Sequence, residues 1–229
     1  MRNKILLLFL VFGLLPNMIA AQPLTKVDNK HYLFGMPLQY NGYGGPVVAF
    51  SNMEGRSSVA PGAVAGLLIN AKFFMSIYGQ KVETSHPRPD MIVSGPIIYT
   101  EVKANMWQYG VWFGYIHKPE DVIHWGMSSM VARGQLFLTA KDPVTLATRQ
   151  IYDDRVYFIT PKFFVEMNMA KWLKMNVSAG YRFTGKVNGE YSNQYDERIP
   201  TFNPSDYNQP EFSVSLLFGG FTSKSNSSE

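Results

Sequence analysis

From Asn105 to His117 the chain reads NMWQYGVWFGYIH, and its side chains sort into two faces with a period of two. Trp107, Tyr109, Val111, Phe113 and Tyr115 fall on one face; Met106, Gln108, Gly110, Trp112 and Gly114 fall on the other. In water, a strand hides its oily face in a core and shows charge and hydroxyl on the other. Glycine suits neither task well, because it loses the most backbone entropy and packs nothing. A strand with one bulky apolar face and a glycine-bearing opposite face therefore points to a different solvent for the bulky side: acyl chains.

The same period recurs along the chain, and helical periodicity is hard to find after Gln22. Residues 45–53, 59–70, 71–80, 105–117, 122–139, 156–168, 172–184 and 211–222 read as strands. Each is about as long as a tilted strand needs to cross a bilayer, ~9–11 residues. The gaps hold no amphipathic crossover helix, which excludes a parallel α/β sheet. Past the first connection, MEGRSS, the gaps alternate between short and long. Tight turns at one end and extended loops at the other are the pattern of outer-membrane barrels. The fold class is therefore all-β: an antiparallel up-and-down transmembrane β-barrel of about eight strands, or ten if residues 30–38 and 91–100 add to the sheet. Pro161 cannot donate to a ladder and is expected at a bulge. GYGG at 42–45 reads as a turn into the first strand.

The N-terminus fits export. Arg2 and Lys4 precede an apolar run from Ile5 to Leu15, followed by Pro16 and the small residues Ala20 and Ala21. That is a signal-peptide layout, with an apolar run too short to span a bilayer. The expected divisions are a signal peptide at 1–21, a periplasmic segment at 22–42, the barrel at 43–222 and a tail at 223–229. The chain carries 21 basic and 17 acidic residues, so the excess falls to two once Arg2 and Lys4 are removed. No basic cluster tracks a phosphate backbone, so nucleic acid is not an expected partner. Cysteine is absent, which excludes disulfides and thiolate metal sites.

The two faces assign the walls. The aromatic face is expected against lipid, with Trp107, Tyr109, Phe113, Tyr115, Trp172 and Tyr181 on it, the tryptophans and tyrosines forming interfacial girdles. The opposite face is expected to fill a narrow lumen with small residues and paired charges. A polar network of Lys162, Glu166, Lys174, Asn176 and Arg182 is expected there, and folding about the MAK turn brings Glu166 near Lys174. The interior should be plugged and salt-bridged.

Candidate chemistry is thin. His117 and His124 flank the HKPEDV turn and are placed to face each other across the hairpin, but two histidines without a third ligand make a weak metal site. His124 and Ser128 share a strand face, at about 13 Å by strand rise, too far for a nucleophile and its base. Paired acids at 153–154 and 196–197 read as solvated loop charge. No catalytic residue, metal or cofactor is assigned.

Four segments carry a resemblance: YGGPVVAF, YGVWFGYIHKPEDVIHWGMSS, VYFITPKFFVEMNMAKWLKMNVSAGYRF and FSVSLLFGGF. Together they resemble small outer-membrane barrel proteins of the Bacteroidota, porin-like or similar to the eight-stranded outer-membrane protein X architecture. The resemblance covers most of the chain beyond the signal. It implies a Gram-negative outer-membrane location and no catalytic residue. The tail TSKSNSSE after Phe221 departs from barrels that end on an aromatic residue. Expected partners are outer-membrane lipids and lipopolysaccharide, the barrel-assembly machinery during insertion, and a protein met by the loops 81–104, 139–155 and 185–210. The expected role is non-enzymatic, structural or interactive. The alternatives are a narrow channel or transporter component, and a lipid-modifying enzyme centred on His124 and Ser128.

Overall fold

The computed structural model describes residues 39–53, 56–84, 100–141, 147–185, 190–192, 198–200 and 207–221. Eight long strands close into an antiparallel barrel: β1 (Tyr40–Met53), β2 (Arg56–Ile69), β3 (Phe73–Thr84), β4 (Thr100–His117), β5 (Ile123–Lys141), β6 (Thr148–Ala170), β7 (Leu173–Gly185) and β10 (Gln209–Gly219). Each pairs with its chain neighbours, and β10 pairs with β1 to complete the ring. Closure leaves no sheet edge in the barrel, as a bilayer requires of a spanning sheet. A hairpin, β8 (Glu190–Ser192) with β9 (Arg198–Pro200), sits within the long β7–β10 connection and was not expected from sequence. The signal-peptide segment, the tail and residues 30–38 and 91–99 lie outside the described residues.

Strand ends differ from the sequence reading at several places. GYGG is part of β1 rather than a turn before it, because Tyr43, Gly44 and Gly45 already pair with β2. Pro161 makes no bulge. It sits in register opposite Ser129 of β5, while the recorded β6–β7 partners skip Thr160 and Pro161 without a register shift. The register shifts fall instead at Thr100/Lys103, Leu138/Thr139 and Asn168/Ala170.

The β2–β3 turn is tight. Asn70 and Ala71 both take positive φ, 50° and 57°, and the Lys72 N–H donates to the Ile69 carbonyl at 3.1 Å. Asn tolerates this left-handed geometry; in Ala the β-carbon crowds the following carbonyl.

Inward glycines make room for large neighbours. Gly110 opposes Tyr78, Gly114 opposes Phe74, Gly126 opposes Phe164, Gly180 opposes Lys162 and Gly219 opposes Tyr43. A β-carbon at Gly114 or Gly126 would collide with the facing Phe74 or Phe164 ring. At Gly45 it would strike the Leu216 carbonyl across the β1–β10 seam.

Gly45→Val should therefore destabilise the barrel by about 1–3 kcal/mol, as overpacking does, whereas Gly79→Ala, with only the Gln108 carbonyl at 4.0 Å, should stay close to neutral; urea unfolding in detergent, read as loss of heat-modifiable gel migration, compares the two. Ala71→Gly should raise stability by about 0.5–1 kcal/mol in the same assay, because the left-handed turn no longer strains a β-carbon.

Candidate functional site

The barrel interior is where chemistry-bearing side chains converge. Strand alternation sends every second residue of β5, β6, β7 and β10 inward, and those positions hold His124, Ser128, Thr160, Lys162, Glu166, Lys174, Asn176, Ser178, Arg182, Glu211, Ser213 and Ser215, all buried. Two carboxylates organise them.

Glu166 is the centre nearer the short turns. The Lys174 Nζ donates to its Oε1 at 2.7 Å, and the His124 Nε2 meets the same oxygen at 3.0 Å. The Asn176 amide donates to Oε2 at 3.5 Å. His124 Nδ1 lies 3.0 Å from the Asp121 backbone carbonyl. A carbonyl and a carboxylate both only accept, so the two bonds form together only in the doubly protonated ring. His124 thereby ties the β4–β5 turn to the interior, and Asn168 reinforces it by donating to the Pro119 and Asp121 carbonyls at 3.1 and 2.8 Å.

Glu211 is the centre nearer the long loops. Lys162 Nζ pairs with its Oε1 at 2.7 Å and Arg182 Nη1 with its Oε2 at 3.4 Å. Lys162 also donates to Ser213 Oγ at 3.3 Å, and Ser213 shares a hydrogen bond with Ser178 at 2.6 Å. Arg182 is 1% exposed and directs its remaining donors to the Tyr207 carbonyl at 3.2 Å, Ser51 Oγ at 3.1 Å and the Asn52 carbonyl at 3.5 Å. Its guanidinium also lies 5.7 Å from the Phe158 ring centroid.

The other half of the interior is aromatic rather than small, which corrects the expectation of a lumen lined by small residues and charge alone. Phe74 contacts Trp112 edge-on at 5.5 Å and Phe164 at 5.9 Å between centroids. Tyr43, 6.4 Å from Phe74, hydrogen-bonds Ser76. The glycines opposite Phe74, Phe164 and Tyr43 admit those three rings, while Trp112 lies between Ser76 and Met130. A cavity of about 20 Å³ remains between the two halves, bordered by Trp112, Glu166, Lys174 and Phe221 among others. That is room for about one water, not a pore.

The five residues expected in the polar network, Lys162, Glu166, Lys174, Asn176 and Arg182, all lie inside. Sequence reasoning left out His124 and Glu211 as members. The inward parity of both was readable; their partners were not, because His124 meets Glu166 on β6 and Glu211 meets cations on β7 and β6, which depends on the order and register of the strands. The expected facing of His117 and His124 fails: His117 pairs with Trp125, their rings tilted at 4.8 Å between centroids on the outer side, while His124 points inward. Ser128 is buried, and its hydroxyl has no hydrogen-bond partner among the described residues. Among the described residues no cluster of three metal-ligating side chains occurs.

Outside, the wall is apolar. Trp107, Tyr109, Phe113, Tyr115, Trp172 and Tyr181 are all on the exposed side. Aromatic residues lie toward both ends, with Met75, Ile77, Val111, Val131, Val177 and Val214 between them. Trp172 stacks on Phe218 at 6.1 Å and Trp125 on Phe163 at 5.7 Å.

Among solved structures, the chain is similar to Neisserial surface protein A, at 8% identity over 82% of this chain and all of that one, with a TM-score of 0.50. It is also similar to a major outer membrane protein from Thermus thermophilus, at 7% identity over 78% of this chain and 99% of that one, with a TM-score of 0.52. At such identities the likeness shows the fold: a closed eight-stranded barrel of the outer-membrane kind. No protein-family model matches the sequence, and no curated protein matches it.

Removing one partner from a buried ion centre strands the rest. Glu166→Gln should cost about 3–5 kcal/mol, leaving Lys174 without a counter-charge and His124 without its carboxylate partner. The pair replacement Glu166→Met with Lys174→Met should cost clearly less than the single change. Urea unfolding of the three proteins in one detergent gives the comparison, and a double mutant worse than the single would contradict the pairing.

Proposed function

We propose that this protein resides in a bacterial outer membrane as a plugged barrel whose role is non-enzymatic, structural or interactive, exercised through its long loops. The observation that carries this reading is the inversion of its two faces: oily side chains cover the outside of a sheet whose inside holds two buried ion centres. A soluble barrel would place them the other way round. The strand order puts the β3–β4, β5–β6 and β7–β10 connections at one end, opposite the tight turns, and in outer-membrane barrels that end faces outward. The strands reach farther than the expected loops 81–104 and 139–155 allowed, because β3 runs to Thr84, β4 starts at Thr100, β5 runs to Lys141 and β6 starts at Thr148. Lipopolysaccharide and a protein partner are the expected contacts of those loops, and the barrel-assembly machinery is the expected route of insertion. Kinship with the small Bacteroidota barrels rests on the sequence resemblance.

The competing roles find less support. A channel needs a continuous path, and rings, ion pairs and inter-serine hydrogen bonds occupy the interior. A hydrolase centred on His124 and Ser128 needs a free imidazole nitrogen for the serine proton. Both nitrogens of His124 are engaged, by Glu166 and by the Asp121 carbonyl.

The test uses the four tryptophans. Trp107, Trp125 and Trp172 are 52%, 40% and 59% exposed, against 2% for Trp112. In vesicles of acyl-chain-brominated lipid, single-tryptophan variants retaining an outer residue should lose most of their fluorescence, while the variant retaining only Trp112 should keep most of its own. Equal quenching of Trp112, or a mature chain that stays dissolved without detergent, would refute the membrane reading. The same preparation should show no stepwise conductance across a planar bilayer.

A further inference from the structure

The turn end of the interior holds a donor and an acceptor that no described residue answers. Trp112 Nε1 and Asn176 Oδ1 are both buried without a hydrogen-bond partner among the described residues, and each side chain is 2% exposed. They stand on β4 and β7, with β5 and β6 between them in the ring, yet both border the cavity of about 20 Å³. A buried polar group left unpaired forfeits its hydration with nothing in return. Two such groups around one cavity share one explanation.

Lys174 and Glu166 border the same cavity and have capacity to spare. An ammonium carries three N–H groups. Lys174 gives one to Glu166 Oε1 at 2.7 Å and sets its Nζ 4.7 Å from the Phe221 ring centroid. Glu166 Oε2 receives the Asn176 amide at the long distance of 3.5 Å. The indole only donates, and the Asn176 oxygen only accepts. Turning that amide over would press its oxygen against the Glu166 carboxylate. An anion in the cavity would meet the Asn176 oxygen and Glu166; a cation would meet the Trp112 N–H and Lys174. A ligand that both accepts and donates meets neither conflict, and the volume is that of one water.

Phe221 closes this chamber. The inward positions of β10 are the odd-numbered residues from Glu211 to Gly219, and Phe221 continues that parity past the strand end. Backbone bonds hold it there: the Gly220 N–H donates to the Gly42 carbonyl and the Phe221 N–H to the Lys171 carbonyl, each at 3.3 Å. Its half-buried ring packs against the interior, 6.4 Å from the Tyr43 ring, and borders the cavity.

We propose that the turn end of the barrel holds one resident water, which accepts from Trp112 Nε1 and donates to Asn176 Oδ1, and that the Phe221 ring is the stopper between this water and bulk solvent. The site hydrates the Glu166 centre from within. It lies inside the barrel and does not depend on what covers the outer wall.

A crystal structure of the purified barrel that resolves ordered solvent tests the ligand, with bromide in the soak as the anion probe. A water within hydrogen-bond reach of both Trp112 and Asn176, with no anomalous signal, is the expected result; a dry chamber, or bromide in it, would overturn the site. Acrylamide in the aqueous phase tests the stopper, using the variant that retains only Trp112. Adding Phe221→Ala should raise the quenching of Trp112 several-fold, while Phe212→Ala, on the outer wall at the far end of β10, should leave it unchanged; heat-modifiable migration shows which variants are folded. Should Phe221→Ala not fold, Phe221→Leu takes its place with the same rise expected. Unchanged quenching in the folded Phe221 variant would overturn the stopper. Because acrylamide stays in water, this result is separate from that of the brominated lipid: a failed membrane reading leaves the chamber standing, and a sealed Trp112 in the Phe221 variant sinks the stopper alone.

Discussion

Glu166, held by Lys174 and His124, and Glu211, held by Lys162 and Arg182, sit in a space that water barely enters, and the rest of the barrel accommodates that arrangement. Isolated charges in such a space would be prohibitive, and a carboxylate with excellent geometry offsets the desolvation of its partners. The inward positions of β5, β6, β7 and β10 are largely given over to these centres and the serines between them. β6 still adds Phe158 and Phe164 to the apolar filling. Most of the ring packing comes from β3 and β4, with Phe74, Tyr78, Met106 and Trp112, joined by Met130 of β5. The barrel is thus filled from two sides by different physics: electrostatics on one and ring packing on the other.

Glycine mediates between them. An inward ring on one strand occupies the space that a side chain on its neighbour would need, so large and absent side chains are paired across the ladder. The presence of bulky residues and glycines on opposite faces of one strand thereby has two causes. The outward bulk belongs to the apolar wall. The inward glycines belong to rings and lysines of the next strand, a relationship that no single strand displays.

How much of this was legible follows from sequence distance. Period-two alternation is local, so the outward set around Trp107 and the inward set around Lys162 could be read directly. The Glu166–Lys174 pair spans one tight hairpin and was equally readable. His124 meets Glu166 from 42 residues away, and Arg182 meets Ser51 from 131. Those contacts depend on strand neighbours, on register and on closure, which alternation does not encode. Pro161 misled for a related reason: its missing donor argues for a bulge, yet its β5 pairing stays in register there. The inward parity of Trp112 was readable, but its packing against Phe74 and of Phe74 against Phe164 was not, because those contacts join three different strands.

Glu211 also constrains biogenesis. It stands on the final strand of the barrel, yet it neutralises cations on β6 and β7, while Arg182 reaches past it to Ser51 and Asn52 on β1. Until that last strand arrives, a nascent chain holds Lys162 and Arg182 with no acid to answer them, and the first and seventh strands lack their bridge. The carboxylate on the barrel's last strand thus acts as a keystone: the ring becomes electrically quiet only once that strand is in place, which biases assembly against closure of a shortened sheet.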